Sequence, residues 1–314
     1  MDDIIHDIII IGAGPAGYTA AIYAARAGRK PIVITGLQPG GQLMVTTDVE
    51  NYPGFRVTIQ GPWLMEEMRE QAIHAGADII NDTITQVNFK IENGKPFFLM
   101  GDSGKNYYGR AIIIATGANA KWLGIPAEEK FRGYGVSGCA TCDGFFYKNQ
   151  DVMVVGGGNT AMEEALYLAN LCKTVNLVHR RDNFRAEQIL QDRVMANEKI
   201  KIIWNNQLVD IMGEGDPAVV TGAVIENVKD KKQTTLTLQG VFIAIGHSPA
   251  TDIFKNQIDM DKAGYIGVAP GTTNTNIKGV FAAGDVADSV YRQAVTSAGM
   301  GCIAALDADR FLKE

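Results

Sequence analysis

The sequence of 314 residues predicts an α/β protein with two three-layer domains, the second inserted into the first. Two observations lead to this prediction. The chain is long enough for two separate hydrophobic cores. The order strand, glycine-rich turn, helix, strand also occurs twice, once near the N-terminus and once after residue 150. Each copy predicts a β-α-β unit, which requires parallel strands and a right-handed crossover.

The first copy begins with a β-branched run at residues 7–11, which predicts a buried strand. A turn of sequence GAGPAG follows at 12–17, and residues 18–27 are alanine-rich and favour helix. Residues 31–35 supply the second short strand and complete the unit.

The second copy repeats this order with a strand at 151–155, a turn at 156–161, a helix at 162–171 and a strand at 174–179. The other predicted elements are an amphipathic helix at 63–75, β-rich stretches over 83–109, a strand at 111–115, a helix at 186–196, a β-rich run over 200–245, a strand at 279–283 and a C-terminal helix at 293–312. The simplest assembly inserts the second domain at crossings near 117–122 and 245–249, which both contain glycine.

Composition excludes several classes of protein. Hydrophobic residues make up 46% and charged residues 20%, which is typical of a soluble globular protein. The net charge of -6 argues against nucleic-acid binding. Residues 1–7 are acidic where an export signal would be basic, and no stretch approaches the roughly 20 apolar residues of a membrane span. We therefore expect a cytoplasmic protein without a membrane or nucleic-acid partner.

The glycine pattern of the first turn predicts a dinucleotide site. Gly12 permits a tight turn, Gly14 lets a pyrophosphate approach the backbone, and Gly17 lets the helix pack on its strand. The helix N-terminus offers free amides to the phosphates. A glycine turn without a ligand is the alternative. The acidic residue that would hold an NAD ribose is absent after residue 35, which argues against NAD and leaves a flavin as a candidate.

The second turn carries an arginine cluster at the position where an acidic residue would select NAD. Its pattern is Gly156, Gly158 and Ala161, and the following strand leads into His179, Arg180, Arg181 and Arg185. Guanidinium groups pair well with phosphate oxygens, so the cluster predicts NADP rather than NAD. A solvated charged loop is the alternative.

Cys139 and Cys142 are separated by two residues, close enough for a disulfide within one turn. Zinc would need further ligands, but Cys172 and Cys302 stand alone and the four histidines form no pair. A buried structural pair is a second alternative. A redox pair fits better because such turns commonly lower the thiol pKa and because two nucleotide sites occur in the same chain. Asp143 is either the acid that supplies the leaving-group proton or a turn residue.

Together these patterns resemble the low-molecular-weight thioredoxin reductases over essentially the full length. The matching segments are 12–17, 40–42, 50–54, 115–117, 139–146, 156–161, 179–186 and 281–294. The stretch Cys-Ala-Thr-Cys-Asp-Gly-Phe-Phe ahead of the second turn is specific to that family. The resemblance implies two Rossmann-like dinucleotide-binding domains, with FAD bound by residues 1–118 and 248–314 and NADPH by 119–247. It further implies a homodimer that reduces thioredoxin.

The resemblance also implies the site residues. Cys142 would face the flavin, Cys139 would attack the partner disulfide, and Asp143 would be the acid. The residues implied for FAD are Gly12, Gly14, Pro15, Ala16, Gly17, Thr35, Gly36, Leu37, Gln38, Pro39, Gly40, Gly41, Gln42, Asn51, Ala115, Thr116, Gly117, Gly284, Asp285, Arg292, Gln293 and Ala294. Those for NADPH are Gly156, Gly158, Asn159, Thr160, Ala161, His179, Arg180, Arg181 and Arg185. No metal ligand is implied.

One fixed arrangement cannot let the cysteine pair meet both a buried flavin and a separate protein. We therefore expect the inserted domain to rotate on the two glycine-containing crossings between half-reactions. Phe145, Phe146 and Tyr147 are either core residues or an aromatic anchor for the partner.

Three other functions compete with this one. A flavoprotein serving a peroxidase system would carry an additional N-terminal thioredoxin-like region, whereas this chain begins at its first strand. An NADPH to ferredoxin reductase would lack the cysteine pair. A non-catalytic dinucleotide sensor would bind NADPH without bleaching of the flavin.

Overall fold

The computed structural model describes residues 4–45, 48–91 and 95–314. Met1–Asp3, which argued against an export signal, and residues 92–94 of the predicted β-rich stretch lie outside the described residues. The chain divides into two compact units. The first comprises Met1–Asn119 and Ser248–Glu314, and the second comprises Ala120–His247.

The strands are β1 (Ile5–Ile11), β2 (Ile32–Ile34), β3 (Asp48–Val49), β4 (Ile59–Gln60), β5 (Asp78–Ile80), β6 (Ile84–Asn88), β7 (Phe97–Gly101), β8 (Asn106–Ile114), β9 (Ala118–Ala120), β10 (Val136–Ser137), β11 (Asp151–Val155), β12 (Thr174–His179), β13 (Ile200–Trp204), β14 (Asn206–Gly215), β15 (Ala218–Asn227), β16 (Gln233–Thr237), β17 (Gly240–Ile243), β18 (His247–Pro249) and β19 (Val280–Ala282). The α-helices are α1 (Pro15–Arg26), α2 (Gly61–Ala75), α3 (Pro126–Phe131), α4 (Ala140–Asp143), α5 (Asn159–Leu171), α6 (Gln188–Met195) and α7 (Ala294–Phe311).

The first unit is built on a seven-stranded sheet of order β5-β2-β1-β8-β7-β6, with β19 also paired to β8. Strands β1, β2, β5, β8 and β19 run parallel, whereas β6 and β7 are antiparallel additions. Side chains of β1 alternate between the faces. Ile8 and Ile10 pack with helices α1, α2 and α7, and Ile9 and Ile11 pack in a second core that includes Phe254.

The second unit has three layers. Its central sheet is parallel, with order β10-β17-β11-β12-β13. On one face, Val152 and Val154 pack with helix α5. On the other face, Met153 and Val155 pack with Leu208 and other residues of the antiparallel sheet β14-β15-β16. The predicted α/β architecture with an inserted second domain is confirmed.

Helices α1 and α5 start earlier than the sequence patterns predicted. Helix α1 begins at Pro15 and α5 at Asn159, directly at the glycine turns. Proline is favoured in the first helical turn because it has no N–H that would lack a partner. Each helix N-terminus therefore lies inside its glycine motif. Among the helices of the described residues, none is both long and apolar enough to cross a membrane.

Candidate active site

The first glycine turn lies at the carboxyl end of β1. Gly12 has φ of +108°, and a Cβ there would lie 2.2 Å from the carbonyl oxygen of Ala115. A Cβ at Gly17 would lie 1.9 Å from the carbonyl oxygen of Gly12. Gly14 is different, because no atom of the described residues would lie within 4 Å of a Cβ added there. The backbone thus closes tightly around two glycines and leaves open space at the third.

This open space lies at the N-terminus of α1. Gly14 precedes the helix, and no side chain in the described part of the chain caps the first-turn amides. Free amides and the positive end of the helix dipole attract anions, so the turn suits a phosphate group. The N–H of Gly40 donates to the carbonyl oxygen of Ala13 at 3.1 Å, which brings the loop over 36–42 beside the turn.

Other residues predicted for FAD also approach this turn. A Cβ at Gly284 would lie 2.9 Å from the Cβ of Ala16. Asn51 Nδ2 donates to Gln293 Oε1 at 3.5 Å. Asn51 therefore lies beside Gln293 and Ala294 at the start of α7. Of the loop over 36–42, the side chains at 37–39 are exposed to solvent.

Asp285 lies in a 3-10 helix between β19 and α7. Its Oδ1 accepts a hydrogen bond from Ser297 Oγ at 2.7 Å. Burial raises the pKa of Asp285 above its ordinary value, against the opposing effect of this hydrogen bond. Ser297 was not predicted from the sequence, because only the packing of α7 brings it close to Asp285.

Arg292 precedes α7 and has a left-handed backbone with φ of +48°. The carboxylate of Asp288 accepts hydrogen bonds from the N–H groups of Val290, Tyr291 and Arg292 at 2.9, 2.9 and 3.1 Å. These bonds hold the loop that carries the predicted flavin contact. Asp288, four residues before Arg292, was the sequence signal for this loop, and the sequence analysis did not use it.

The second glycine turn has the same construction. A Cβ at Gly156 would lie 2.4 Å from the carbonyl oxygen of Ala244 and 2.6 Å from the Cβ of Ala161. No described atom lies within 4 Å of a Cβ at Gly158, which again leaves open space at a helix start. A Cβ at Gly157 would lie 2.2 Å from the His179 ring. Gly157, which the sequence prediction omitted, is therefore required by the buried histidine beside it.

His179 supports the segment that carries the arginines. Its Nε2 lies 3.0 Å from the carbonyl oxygen of Asn183, and its ring packs against Phe184 and Trp204. Burial lowers the pKa of His179 below its ordinary value, which favours the neutral ring. His179 thus acts through packing and a hydrogen bond rather than through charge.

The three predicted arginines are free to bind an anion. Arg180 and Arg185 are exposed and Arg181 is half-buried. Within the ranges that the structure describes, none of their guanidinium groups forms an ion pair. Cationic groups on an ordered segment without their own carboxylate partners are suited to a phosphate. Thr160 lies in the first turn of α5.

Cys139 and Cys142 form a disulfide with a Cα–Cα distance of 5.4 Å. Cys139 precedes the short helix α4, and its carbonyl oxygen accepts the N–H groups of Cys142 and Asp143 at 3.3 and 3.2 Å. Ser137 Oγ accepts the N–H of Cys139 at 3.0 Å. Both cysteines are half-buried. Ser137, which sequence reasoning missed, therefore fixes the backbone of the pair.

The residues after the pair divide into exposed and packed groups. Phe145 and Phe146 are 56% and 39% exposed, whereas the ring of Tyr147 packs edge-on against Phe242. Burial, and next the negative charge of Asp143, raise the pKa of Tyr147 to about 12. The carboxylate of Asp143 is therefore near enough to Tyr147 to act on it electrostatically. Among the described residues no group of three or more potential ligands could hold a metal ion.

Comparison with known proteins identifies the family. Residues 6–301 match the model of the pyridine nucleotide-disulphide oxidoreductases. The chain is 57% identical over 307 residues to thioredoxin reductase of Rickettsia conorii and 53% identical over 314 residues to that of Coxiella burnetii, covering 98% and 96% of those proteins and 98% of this chain in each case.

Solved structures agree with this result. The thioredoxin reductase of Giardia duodenalis has a TM-score of 0.93 and 42% identity, with 99% of each chain covered. That of Lactococcus lactis, described as the FR conformation, has a TM-score of 0.64 and 39% identity, with 98% of this chain and 99% of that chain covered. The chain therefore belongs to the pyridine nucleotide-disulphide oxidoreductase family and, within it, to the thioredoxin reductases.

Proposed function

We propose that this protein is an NADPH-dependent thioredoxin reductase that binds FAD in the first unit and NADPH in the second. The observation that carries the proposal is the Cys139–Cys142 disulfide, formed in the same unit as the second glycine turn. A chain with two nucleotide turns and one exchangeable disulfide has the parts for passing electrons from a nicotinamide to sulfur. Curated relatives that share more than half of its residues carry this name.

The first unit fits FAD. Gly14 leaves room for a pyrophosphate against the uncapped amides of α1, while Gly12 and Gly17 let the backbone of the turn close tightly. The loop over 36–42, the turn over 115–117 and the start of α7 surround the same carboxyl edge of the parallel sheet. Ligands of such sheets bind at this edge. The helix dipole of α7 would favour negative charge on the ring.

The second unit fits NADPH. The open position at Gly158 would receive the pyrophosphate. The guanidinium groups of Arg180, Arg181 and Arg185, which form no ion pair among the described residues, would receive the 2′-phosphate. NADP is thereby preferred to NAD. The resemblance to the family supplied these assignments, and the open turn and the unpaired cations support them.

When bound, NADPH and FAD supply a hydride and carry its two electrons to the protein. Cys142 and Cys139 accept those electrons as their S–S bond breaks, and each sulfur becomes a thiol or thiolate. Cys139 thiolate then attacks the thioredoxin disulfide and forms a mixed disulfide while one thioredoxin thiol leaves. Cys142 attacks Cys139 to release reduced thioredoxin and restore the pair. Asp143 supplies the proton that the leaving thiolate takes up.

The pair must meet the flavin and the partner protein in turn, so the second unit rotates on the two crossings. Two relatives support this part of the proposal. The Giardia and Lactococcus structures have similar identity to this chain, yet their TM-scores of 0.93 and 0.64 differ widely. Rigid-body differences between similar molecules produce such a spread.

The proposal includes a cytoplasmic homodimer, as the sequence resemblance implied. Sedimentation equilibrium tests the dimer directly. A dimer has twice the chain mass of 33.9 kDa, whereas a sedimenting species at the chain mass contradicts this part of the proposal without affecting the redox assignment.

Anaerobic titration with NADPH tests the central claim. The yellow holoprotein should bleach, and oxidised thioredoxin should restore the colour in the wild type. Cys139→Ser and Cys142→Ser should still bleach but should not reduce thioredoxin, because neither variant retains an exchangeable disulfide.

Two outcomes would contradict the proposal. Binding of NADPH without bleaching in the wild type would favour the sensor function. Reduction of thioredoxin by either serine variant would show that the electrons do not pass through this pair. Cys172→Ser is the matched control, since Cys172 is a buried free cysteine outside the pair and should behave as wild type.

A further inference from the structure

The arginine segment of the second unit, residues 180–187, is held in place through its backbone. The N–H of Arg185 donates to the carbonyl oxygen of Gly157 at 2.8 Å, and the N–H of Asn205 donates to that of Arg181 at 3.1 Å. Neither bond uses a guanidinium group. The segment is therefore ordered while its cations stay available for a ligand.

Asn159 and Glu187 add a reciprocal contact at the end of this segment. The N–H of Glu187 donates to Asn159 Oδ1 at 2.9 Å, and Asn159 Nδ2 donates to Glu187 Oε1 at 3.3 Å. Asn159 is the first residue of α5, and Glu187 immediately precedes α6. One amide side chain thus joins the glycine turn to the end of the arginine segment.

The N-cap of α5 is Gly158, which has no side chain to place on the helix amides. Asn159 follows it, and its Oδ1 accepts the N–H of Glu187, while in the described structure no side chain caps α5. Two consequences follow. The first-turn amides remain open to an anion, and the Asn159 side chain ties the arginine segment to the same turn.

We propose that the Asn159–Glu187 pair sets the spacing between the pyrophosphate turn and the arginines, and so makes the second unit select a dinucleotide that carries a 2′-phosphate. This inference rests on the proposed function of that unit. A ligand with phosphates at both places gains from both groups of donors only if their separation is fixed beforehand. A ligand without the 2′-phosphate needs the turn alone. Glu187 is therefore a positioning residue, absent from the predicted site.

The charge of Glu187 supports a geometric role. A carboxylate beside two anion-binding groups repels the ligand, so direct binding does not explain its presence. Its side-chain oxygen is used as a hydrogen-bond acceptor. Glutamine keeps such an oxygen and removes the charge. Glu187→Gln should then bind NADP⁺ as tightly as the wild type or more tightly, while Glu187→Ala should not.

Equilibrium binding to the FAD-loaded protein tests the pair without measuring turnover. Calorimetry gives Kd for NADP⁺, NAD⁺, 2′,5′-ADP and AMP with the wild type, Glu187→Ala, Glu187→Gln, Asn159→Ala and the double alanine variant. Glu187→Ala should weaken NADP⁺ and 2′,5′-ADP roughly five- to tenfold and change NAD⁺ and AMP less than twofold. The double variant should weaken NADP⁺ no more than Asn159→Ala alone, because the two residues act as a unit.

Several results would overturn this inference. One is an unchanged Kd for NADP⁺ in Glu187→Ala, and another is an equal loss of affinity for NADP⁺ and NAD⁺ in that variant. A third is a Glu187→Gln variant that binds NADP⁺ as weakly as Glu187→Ala does. If Glu187→Ala does not fold, an unchanged ratio of NAD⁺ to NADP⁺ affinity in Asn159→Ala decides against the pair. If the wild type shows no preference for NADP⁺, the proposed cofactor is contradicted as well. If the wild type prefers NADP⁺ and the variants bind as it does, only the role of the Asn159–Glu187 pair is contradicted.

Discussion

Phe145 and Phe146 are two large apolar side chains exposed to solvent just after the disulfide. Exposed aromatic residues beside a reactive group are suited to anchor a protein partner. Alanine at either position should raise KM for thioredoxin roughly five- to thirtyfold, which corresponds to about 1–2 kcal/mol. Reduction of a small disulfide such as 5,5′-dithiobis(2-nitrobenzoic acid) should persist, because it needs no docking surface.

Steady-state kinetics with both substrates measure this difference. Met212→Ala is a matched control, because Met212 is a 44% exposed apolar residue of the same unit, on the three-stranded sheet. Equal loss of both activities in the phenylalanine variants would assign these rings to packing. A similar rise in KM for Met212→Ala would remove the specificity of the effect.

Asp82 is a residue whose charge stabilises the first unit. Burial acts to raise its pKa, but hydrogen bonds from the hydroxyls of Ser103 and Tyr107 at 2.6 and 2.8 Å, with backbone N–H groups, outweigh this and lower the pKa to about 2. The folded-state pKa lies below the ordinary value of 3.8. The carboxylate therefore stabilises the fold above about pH 4, and this contribution is lost as pH falls towards 2.

Asp82→Asn should accordingly lower the free energy of unfolding by about 1–3 kcal/mol at pH 7. The amide NH₂ group of asparagine would face hydrogen-bond donors at a position where a carboxylate oxygen accepts hydrogen bonds. The difference from wild type should shrink between pH 4 and pH 2. Denaturant unfolding at several pH values measures it. Asp102→Asn, at an exposed residue of the turn between β7 and β8, should change stability little. A pH-independent difference for Asp82→Asn would contradict the assignment.

At the scale of elements, α7 packs closely on α1 through one glycine. A Cβ at Gly301 would lie 2.1 Å from the carbonyl oxygen of Ala16, whereas no described atom lies within 4 Å of a Cβ at Gly299. Both glycines lie inside α7. Alanine favours helix over glycine by about 0.8–1 kcal/mol, so the surroundings decide the sign of each substitution.

Gly301→Ala should lower the thermal midpoint by several degrees and weaken FAD retention, because it pushes α1 and its glycine turn away from α7. Gly299→Ala should leave the midpoint unchanged or raise it slightly. Scanning calorimetry and flavin fluorescence measure the two quantities. Similar behaviour of both variants would show that the contact with Ala16 relaxes without cost.

The elements with a clear local pattern were predictable from the sequence. The strands at β1 and β11 and helices α1, α5 and α7 follow from apolar runs, glycine turns and alanine content. Bonds between distant residues were not predictable, because no local pattern records them. Asp82 meets Tyr107 only through the pairing of β6, β7 and β8, and Thr273 meets the buried Asp307 only when α7 packs. The Asn159–Glu187 pair belongs to the same class.

At the scale of the whole molecule, two strands connect the units. Strands β9 and β18 form a two-stranded ladder at the crossings. In the first unit, the N–H of Ala250 donates to the carbonyl oxygen of Gly117 at 3.0 Å. In the second unit, the N–H of Lys121 donates to the carbonyl oxygen of Gly246 at 2.9 Å. Each of these two bonds lies within one unit, and we expect the torsion angles between them to absorb the proposed rotation.

Gly246 is the crossing residue best suited to test this rotation. Its φ is +102°, and a Cβ there would meet no described atom within 4 Å, so alanine introduces backbone strain of about 1–2 kcal/mol without a steric clash. Gly246→Ala should lower thioredoxin turnover several-fold and shift the populations seen by fluorescence resonance energy transfer between dyes on the two units. FAD content and Kd for NADP⁺ should stay unchanged.

Gly104→Ala supplies the matched control, because Gly104 has φ of +80° and equally open surroundings but lies in a turn of the first unit, away from the crossings. The same strain there should leave turnover and energy transfer at wild-type values. A wild type that keeps a single energy-transfer value throughout turnover would exclude rotation, because rotation of one unit against the other changes the distance between the two dyes.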